Sequence, residues 1–530
     1  IIRYQSSRVL LNHSVVIAAC VLISKELTSQ SVVLHPSCCK VKHKLMFRYS
    51  GPKLFMAGRL ALRSAEPTAV QVFLGSTTAS LNLKRNAGGN ATPLGSIKTE
   101  ADLTEITLPT ILYRMIFKGY YNRMHELQLY ERQLYGPMFK VRGGNTHVIS
   151  LNSVELLEEL MRKDDKFPSR GDMTLWTEYR DMNGLGYGPI TEHTAEASCR
   201  KFLVLFHRST EQNPKTSVAY LYDFEPTFLV LLEIWLQPLI ASFFCPIQVF
   251  NIFSTSSQFR EGEKWYKLRS VLNKRMLHPK NSVQYENMIN EVVTDFIKRI
   301  CHLRKMSSTG DLVPNISNEL YRFTLEGIAR ILFETRIGCL ENEIPAETQN
   351  FIDSIGQMFT HFMVLSLLPK WTHNYLPFWQ RYISGWDGIF RFACKLIDRK
   401  MEHIQMCLDA GQEIAGGYLS YLLSKINMSK KDVYGSVSEL LLAGVDTTSN
   451  TMMWALYLLS QDPKAQETLY QEVNSIIKGE KIPTAEDINS MPYLKSVIKE
   501  TLRMYPIVSM NTRLLSENDV IIGGHFFPKK

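Results

Sequence analysis

At 530 residues, with 45% hydrophobic and 21% charged residues, the chain has the composition and length of a globular protein with a large core, which excludes a disordered protein. A formal net charge of +9 invites an acidic partner or an anionic surface, but there is no zinc-finger spacing and no basic run with interleaved aromatics, so nucleic acid is not the expected partner. The 9 cysteines include no CxxC pair and read as reduced thiols, not as a disulfide framework or a structural zinc site.

Along the chain, residues 1–55 carry no sustained pattern, and the apolar "SVVIAACVLI" (14–23) is too short to span a bilayer. The first residue is isoleucine, and 1–55 is taken as a leader that need not belong to the native protein. From Met56, "MAGRLALRSAEPTAV" presents Arg59 and Arg63 before its first acid, Glu66, so 56–104 reads as an organellar transit peptide and linker. A mainly α domain with a small β region is expected over 105–530. Helical spacing runs to Leu134, Gly136-Pro137 makes a turn, and strands are expected near 139–150 and 519–527. A further helix, "VELLEELMRKDDKFPSR", ends at Pro168. Residues 190–260 break the pattern as an atypical insert. Their apolar run 228–253 is long enough for a membrane span, but Glu233, Gln237 and Pro238 weaken that reading, and the segment is expected to lie outside the folded unit. From 261 onward amphipathic helices follow one another.

Three groups of residues carry chemistry. In "ELLLAGVDTTSNTMMWALYLL" (439–459), Leu440, Ala443, Gly444 and Thr447 share one helical face. Ala443 and Gly444 remove bulk there, so a flat ligand could approach the backbone. Thr447 can hydrogen-bond a carbonyl one turn back, and Asp446 can relay protons from solvent. A tight helix crossing explains the same small residues equally well. Glu500 and Arg503 lie three apart on a later helix, where apolar neighbours suggest partial burial; a solvated ion pair is the alternative. Trp265 and Arg269, one turn apart, could clamp a buried carboxylate on the edge of a cofactor.

Taken together and in order, these motifs resemble the haem-thiolate monooxygenases, the cytochrome P-450 family. The resemblance covers roughly 105–189 and 261–530. It implies a cytochrome P-450 fold with haem as cofactor. Trp265, Arg269, Ala443, Gly444 and, by its position in "NTRLL", Arg513 would contact that haem. Asp446 and Thr447 would be the catalytic pair, and Glu500–Arg503 the family's structural pair. Lys495 and Lys499, four apart in "YLKSVIKETLR", are similar to the lysines with which the mitochondrial branch docks a [2Fe–2S] ferredoxin. Within that branch the run from 261 is most like family 27, whose members oxidise sterols, vitamin D and retinoids, and looks closest to the member that desaturates all-trans-retinol at its 3,4 bond. The implied partners are the ferredoxin, its NADPH-dependent reductase and a hydrophobic retinoid or sterol-like substrate. The implied location is the mitochondrial matrix, with peripheral contact to the inner membrane. The family's axial ligand is a cysteine in a loop well after the Glu500–Arg503 helix. No cysteine follows Cys407, so no metal ligand is assigned. The fold is accordingly expected to be incomplete at its C-terminus. Either the sequence is a partial copy of an active enzyme, or it is an inactive product that at most binds ferredoxin; a sterol or vitamin D hydroxylase is the alternative to the retinoid enzyme.

Overall fold

The computed structural model describes residues 98–190, 201–205 and 261–528, except 122, 144–145, 166–173, 277–284, 311, 367, 369–371, 374, 412–416, 424–428, 480, 509 and 515–517. The expected leader, the transit peptide and the apolar run 228–253 lie outside the described residues. Among the described residues no helix is long and apolar enough to cross a membrane.

The N-terminal part is a mixed region. Strand β1 (Lys98–Thr99) precedes β2 (Glu105–Thr107), then helices α1 (Leu108–Phe117) and α2 (Met124–Tyr135). Gly136 ends α2 with φ of 84°, a backbone conformation that suits glycine, and sends the chain into β3 (Met138–Gly143), paired antiparallel with β4 (Thr146–Leu151). Helix α3 (Val154–Arg162) starts on a Ser153 cap and ends before Pro168 is reached; α4 (Thr174–Met182) follows. The expectation that 190–260 stands apart from the domain needs one correction. Lys201–Leu205 forms β5, parallel to β4 and antiparallel to β6 (Met510–Leu514), so the sheet runs β2-β3-β4-β5-β6. A second sheet joins β1, β8 (His525–Phe527) and β7 (Val520–Ile522), in that order.

The body is helical: α5 (Glu261–Met276), α6 (Glu286–Met306), α7 (Ile316–Phe333), α8 (Ala346–Leu365), α9 (Pro377–Asp409), α10 (Tyr418–Leu423), α11 (Lys430–Gln461), α12 (Pro463–Ile476), α13 (Ala485–Asn489) and α14 (Pro492–Met504). Helix α11 is the axis of this body. Ser429 and Asp432 close a capping box at its start: the Ser429 hydroxyl accepts from the Asp432 amide, and the Asp432 carboxylate accepts from the Ser429 amide. At its far end Asp462 caps α12 and Pro463 opens that helix, so the chain must turn there. One core layer gathers α4, α7, α8, α9 and the first half of α11, including Trp386, Tyr382, Phe351 and Val445. The other gathers α6, α7, α12, α14 and the second half of α11, including Phe296, Phe323, Met452 and Leu494.

Helix α7 lies along α11, and the crossing decides the role of one small residue. A Cβ placed on Gly444 would stand 2.8 Å from Cγ1 of Ile328. Gly444→Ala is therefore expected to cost about 1–3 kcal/mol by overpacking, read as a lower thermal unfolding midpoint. Adding Ile328→Ala should recover part of that loss; no recovery would mean the glycine serves something other than this crossing.

Candidate functional site

The middle of α11 places Ala443, Asp446 and Thr447 at half-buried positions between buried neighbours. The Thr447 hydroxyl donates to the Ala443 carbonyl at 2.8 Å, the bond one turn back that its sequence context predicts. Thr451 repeats this with the Thr447 carbonyl at 2.8 Å, and Ser449 with that of Val445 at 2.7 Å. Three side-chain bonds of this kind, from alternate residues, crowd the carbonyls of one stretch and favour a local bend. Gly444 does not share the open face with Ala443: it is buried against Ile328, so the helix-crossing explanation holds for Gly444 and the expected close approach of a flat ligand is left to Ala443.

Asp446 turns toward α7. Its Oδ1 accepts from the Tyr321 hydroxyl at 2.6 Å and from Asn450 Nδ2 at 3.2 Å. Burial pushes its carboxyl above the usual aspartate range, and those two hydrogen bonds oppose the rise.

The expected carboxylate clamp is divided. Trp265 spends its indole N–H on the Pro189 carbonyl at 3.2 Å, which fastens α5 to the segment after α4. Arg269 is half-buried, and burial holds its guanidinium below the ordinary arginine range, with Tyr418 and Glu439 opposing. No described residue is hydrogen-bonded to Arg269. The Tyr418 hydroxyl, also influencing Arg269, is fully buried and has no hydrogen-bond partner among the described residues. A half-buried cation near an orphaned hydroxyl suits an anionic group. Arg513 pairs through Nε with Asp164 at 3.2 Å, and its Nη1 donates to the Thr512 carbonyl at 2.9 Å.

Glu500 and Arg503 form a two-pronged pair, with Nε to Oε2 at 2.7 Å and Nη2 to Oε1 at 2.5 Å. The expected partial burial applies to Arg503 alone, since the Glu500 side chain is 57% exposed. Glu500 sits on the outer face of α14, whose inner face is Leu494, Ile498 and Thr501. Tyr505, just past this helix, stacks on Trp454 of α11 at 3.9 Å between ring centroids, which docks the end of α14 on α11. Lys499 is exposed; Lys495 is half-buried, its Nζ donating to the carbonyl and side-chain oxygen of Asn489 at the end of α13.

Sequence reasoning passed over the best-buried ionic group near this site. Arg180 of α4 and Glu439 of α11 are both wholly buried and meet at 2.7 Å. Glu439 Oε2 also accepts from the Ile190 amide at 2.7 Å, and the chain passes so close that a Cβ on Gly188 would collide with this carboxylate. An acid leading into the apolar run "LLLAGV" of α11 is the available signal. Tyr321 gave none, because its contact with Asp446 spans 125 residues.

Among the described cysteines, Cys339 lies buried near Thr348 with its amide donating to Glu326, and Cys407 faces His403. Arg269, with Tyr418 nearby, suits a haem carboxylate, and Ala443 with Thr447 presents a small and a polar side chain for a distal face; Tyr418 is not among the residues the resemblance implies.

The cytochrome P450 family profile matches residues 107–214 and 252–530, skipping the middle of the atypical insert, and the chain belongs to that family. Its relatives include the mitochondrial sterol 26-hydroxylase of Rattus norvegicus, 38% identical over 422 residues, which are 79% of this chain and 66% of that protein. The human mitochondrial 25-hydroxyvitamin D-1 alpha hydroxylase is 29% identical, over 81% of this chain and 72% of its own. Cytochrome P450 27C1 of Aquarana catesbeiana is 31% identical, over 79% and 66%. These place the chain in the mitochondrial, family 27 branch, and family membership implies a haem-thiolate cofactor. The chain spans about two thirds of the length of the sterol 26-hydroxylase it matches. The crystal structure of the cytochrome P450DA heme domain, 16% identical, shares the fold with a TM-score of 0.50, covering 76% of this chain and 70% of that one.

Proposed function

We propose that this protein is a monooxygenase of the mitochondrial matrix that hydroxylates a hydrophobic, sterol-like small molecule with electrons passed from NADPH through a reductase and a [2Fe–2S] ferredoxin. The observation that carries the reading is the 38% identity to a sterol 26-hydroxylase across 79% of the chain. A second reading, 3,4-desaturation of all-trans-retinol, rests on the likeness of "LNKRMLHPK" and "GGHFFPKK" to the retinoid member of the family.

Haem, when bound, supplies the activation of dioxygen. This chain's own residues handle the rest. Arg269 and Tyr418 would meet a haem carboxylate, with Trp265 bracing α5 through Pro189. Thr447 can rotate its hydroxyl from the Ala443 carbonyl to donate a proton, and Asp446 can replenish it from solvent.

Reconstitution of the haem-loaded, full-length protein with NADPH, reductase and ferredoxin tests this. Addition of one oxygen atom to a sterol supports the first reading, and loss of two hydrogens from retinol supports the second. No oxidation of either lipid class overturns both. In the same assay Lys499→Glu is expected to raise the ferredoxin concentration giving half-maximal rate by about 10-fold without altering thermal unfolding, since a charge reversal at an exposed docking face acts on encounter. An unchanged ferredoxin dependence would remove α14 as the docking face.

A further inference from the structure

Asp446 is anchored through a single oxygen. Oδ1 accepts from Tyr321 at 2.6 Å and from Asn450 at 3.2 Å, and Asn450 Nδ2 also donates to the Tyr321 hydroxyl oxygen at 3.0 Å. The three groups close a triangle between α7 and α11. No described residue is hydrogen-bonded to Oδ2. The other charged groups of this part of α7 are turned elsewhere: Glu319 pairs with Arg299 and Arg322, and Arg322 reaches Gln349. On α11 itself the nearest acid is Glu439, engaged by Arg180. The environment of Asp446 is therefore set by burial against two neutral donors, with no ion pair among the described residues.

That arrangement suits a group that must both take up and release protons. A carboxylate paired with a cation would stay ionised; one buried without donors would stay protonated. A short O–H···O bond from a tyrosine offsets burial without adding charge, and it holds the side chain in one rotamer. With Oδ1 committed, the proton enters and leaves at Oδ2.

We propose that Tyr321, assisted by Asn450, is a positioning residue for proton delivery: it clamps Oδ1 of Asp446 against α7 and leaves Oδ2 as the oxygen that exchanges protons. The proposal rests on the reading above, in which Asp446 replenishes Thr447, and it adds a residue on a different helix to that relay.

The test has two arms. In the full chain labelled with ¹³C at the aspartate carboxyls, Asp446→Asn identifies the signal to follow through a pH titration. Tyr321→Phe should move its midpoint to higher pH, because the donor that favours the ionised form is gone and burial remains. Asn450→Ala should move it the same way by less, and carries the test if Tyr321→Phe does not fold. An unmoved midpoint overturns the clamp. In the haem-loaded enzyme Tyr321→Phe should lower kcat by about 10-fold with KM unchanged, and shift the pH–rate profile in the direction of the carboxyl midpoint. A shifted midpoint with unaltered kcat overturns the role in delivery. Absence of turnover in the unsubstituted enzyme would sink the functional reading instead, while the titration still decides the clamp.

Discussion

Glu439→Ala is expected to lower the stability of the fold by about 3–5 kcal/mol, read as a lower midpoint in urea and in thermal unfolding. Both partners of the Arg180–Glu439 pair are fully buried. Removing the carboxylate leaves a guanidinium out of water, held among the described residues by the Trp176 carbonyl at 2.7 Å and by the faces of Trp176, Trp386 and Phe390. It also strands the Ile190 amide. The pair is imperfectly satisfied even when intact, since the Arg180 Nε has no acceptor among the described residues. A buried pair with an unmet donor is the kind that apolar residues replace without loss. Arg180→Met combined with Glu439→Leu should therefore be more stable than Glu439→Ala alone, recovering most of the deficit. If the double variant is no better than the single one, desolvation of the orphaned arginine is not the source of the loss.

Asp446→Asn should separate function from stability. Its carboxyl is pushed above the usual range by burial, ahead of the opposing bonds from Tyr321 and Asn450. The folded state thus binds this proton more tightly than the unfolded chain does. Stability falls as pH rises from the unfolded aspartate range through the folded value, and the penalty stays in full above it. The amide carries no such penalty, so Asp446→Asn should be at least as stable as the parent at pH near 7.5, the advantage vanishing in acid. Turnover by the haem-loaded, full-length enzyme should nonetheless fall by about 100-fold with little change in KM, because the relay has lost its titratable group. A variant that is both unstable at neutral pH and normal in turnover would contradict the assignment of Asp446 to proton delivery. Gain of stability with loss of rate is the pattern expected where a site keeps a costly group for its chemistry.

Much of the fold was legible because its signals are local. The capping box at Ser429–Asp432, Pro463 and Pro492 at helix starts, and Gly136 after α2 mark boundaries that need no tertiary information. The expected strands near 139–150 and 519–527 appear as two tight pairs, β3–β4 and β7–β8. Strand β5 was not legible. Lys201–Leu205 owes its state to a slot between β4 and β6, strands far apart in the chain, and nothing within five residues announces such a slot.

The sequence by itself determined the helical body, the order of its motifs and the Thr447–Ala443 bond, since hydrophobic period, capping and back-bonding act within a turn or two. It also determined that Glu500 and Arg503 meet, because three residues on a helix bring them together. Only the tertiary structure decided that Gly444 serves a helix crossing, that Arg513 answers Asp164, and that Tyr321 and Arg180 complete the two acids of α11. The physical reason is common to all four. Whether a polar group is satisfied, or a missing Cβ is filled, depends on atoms brought from distant parts of the chain, and burial makes those contacts count more than any local preference.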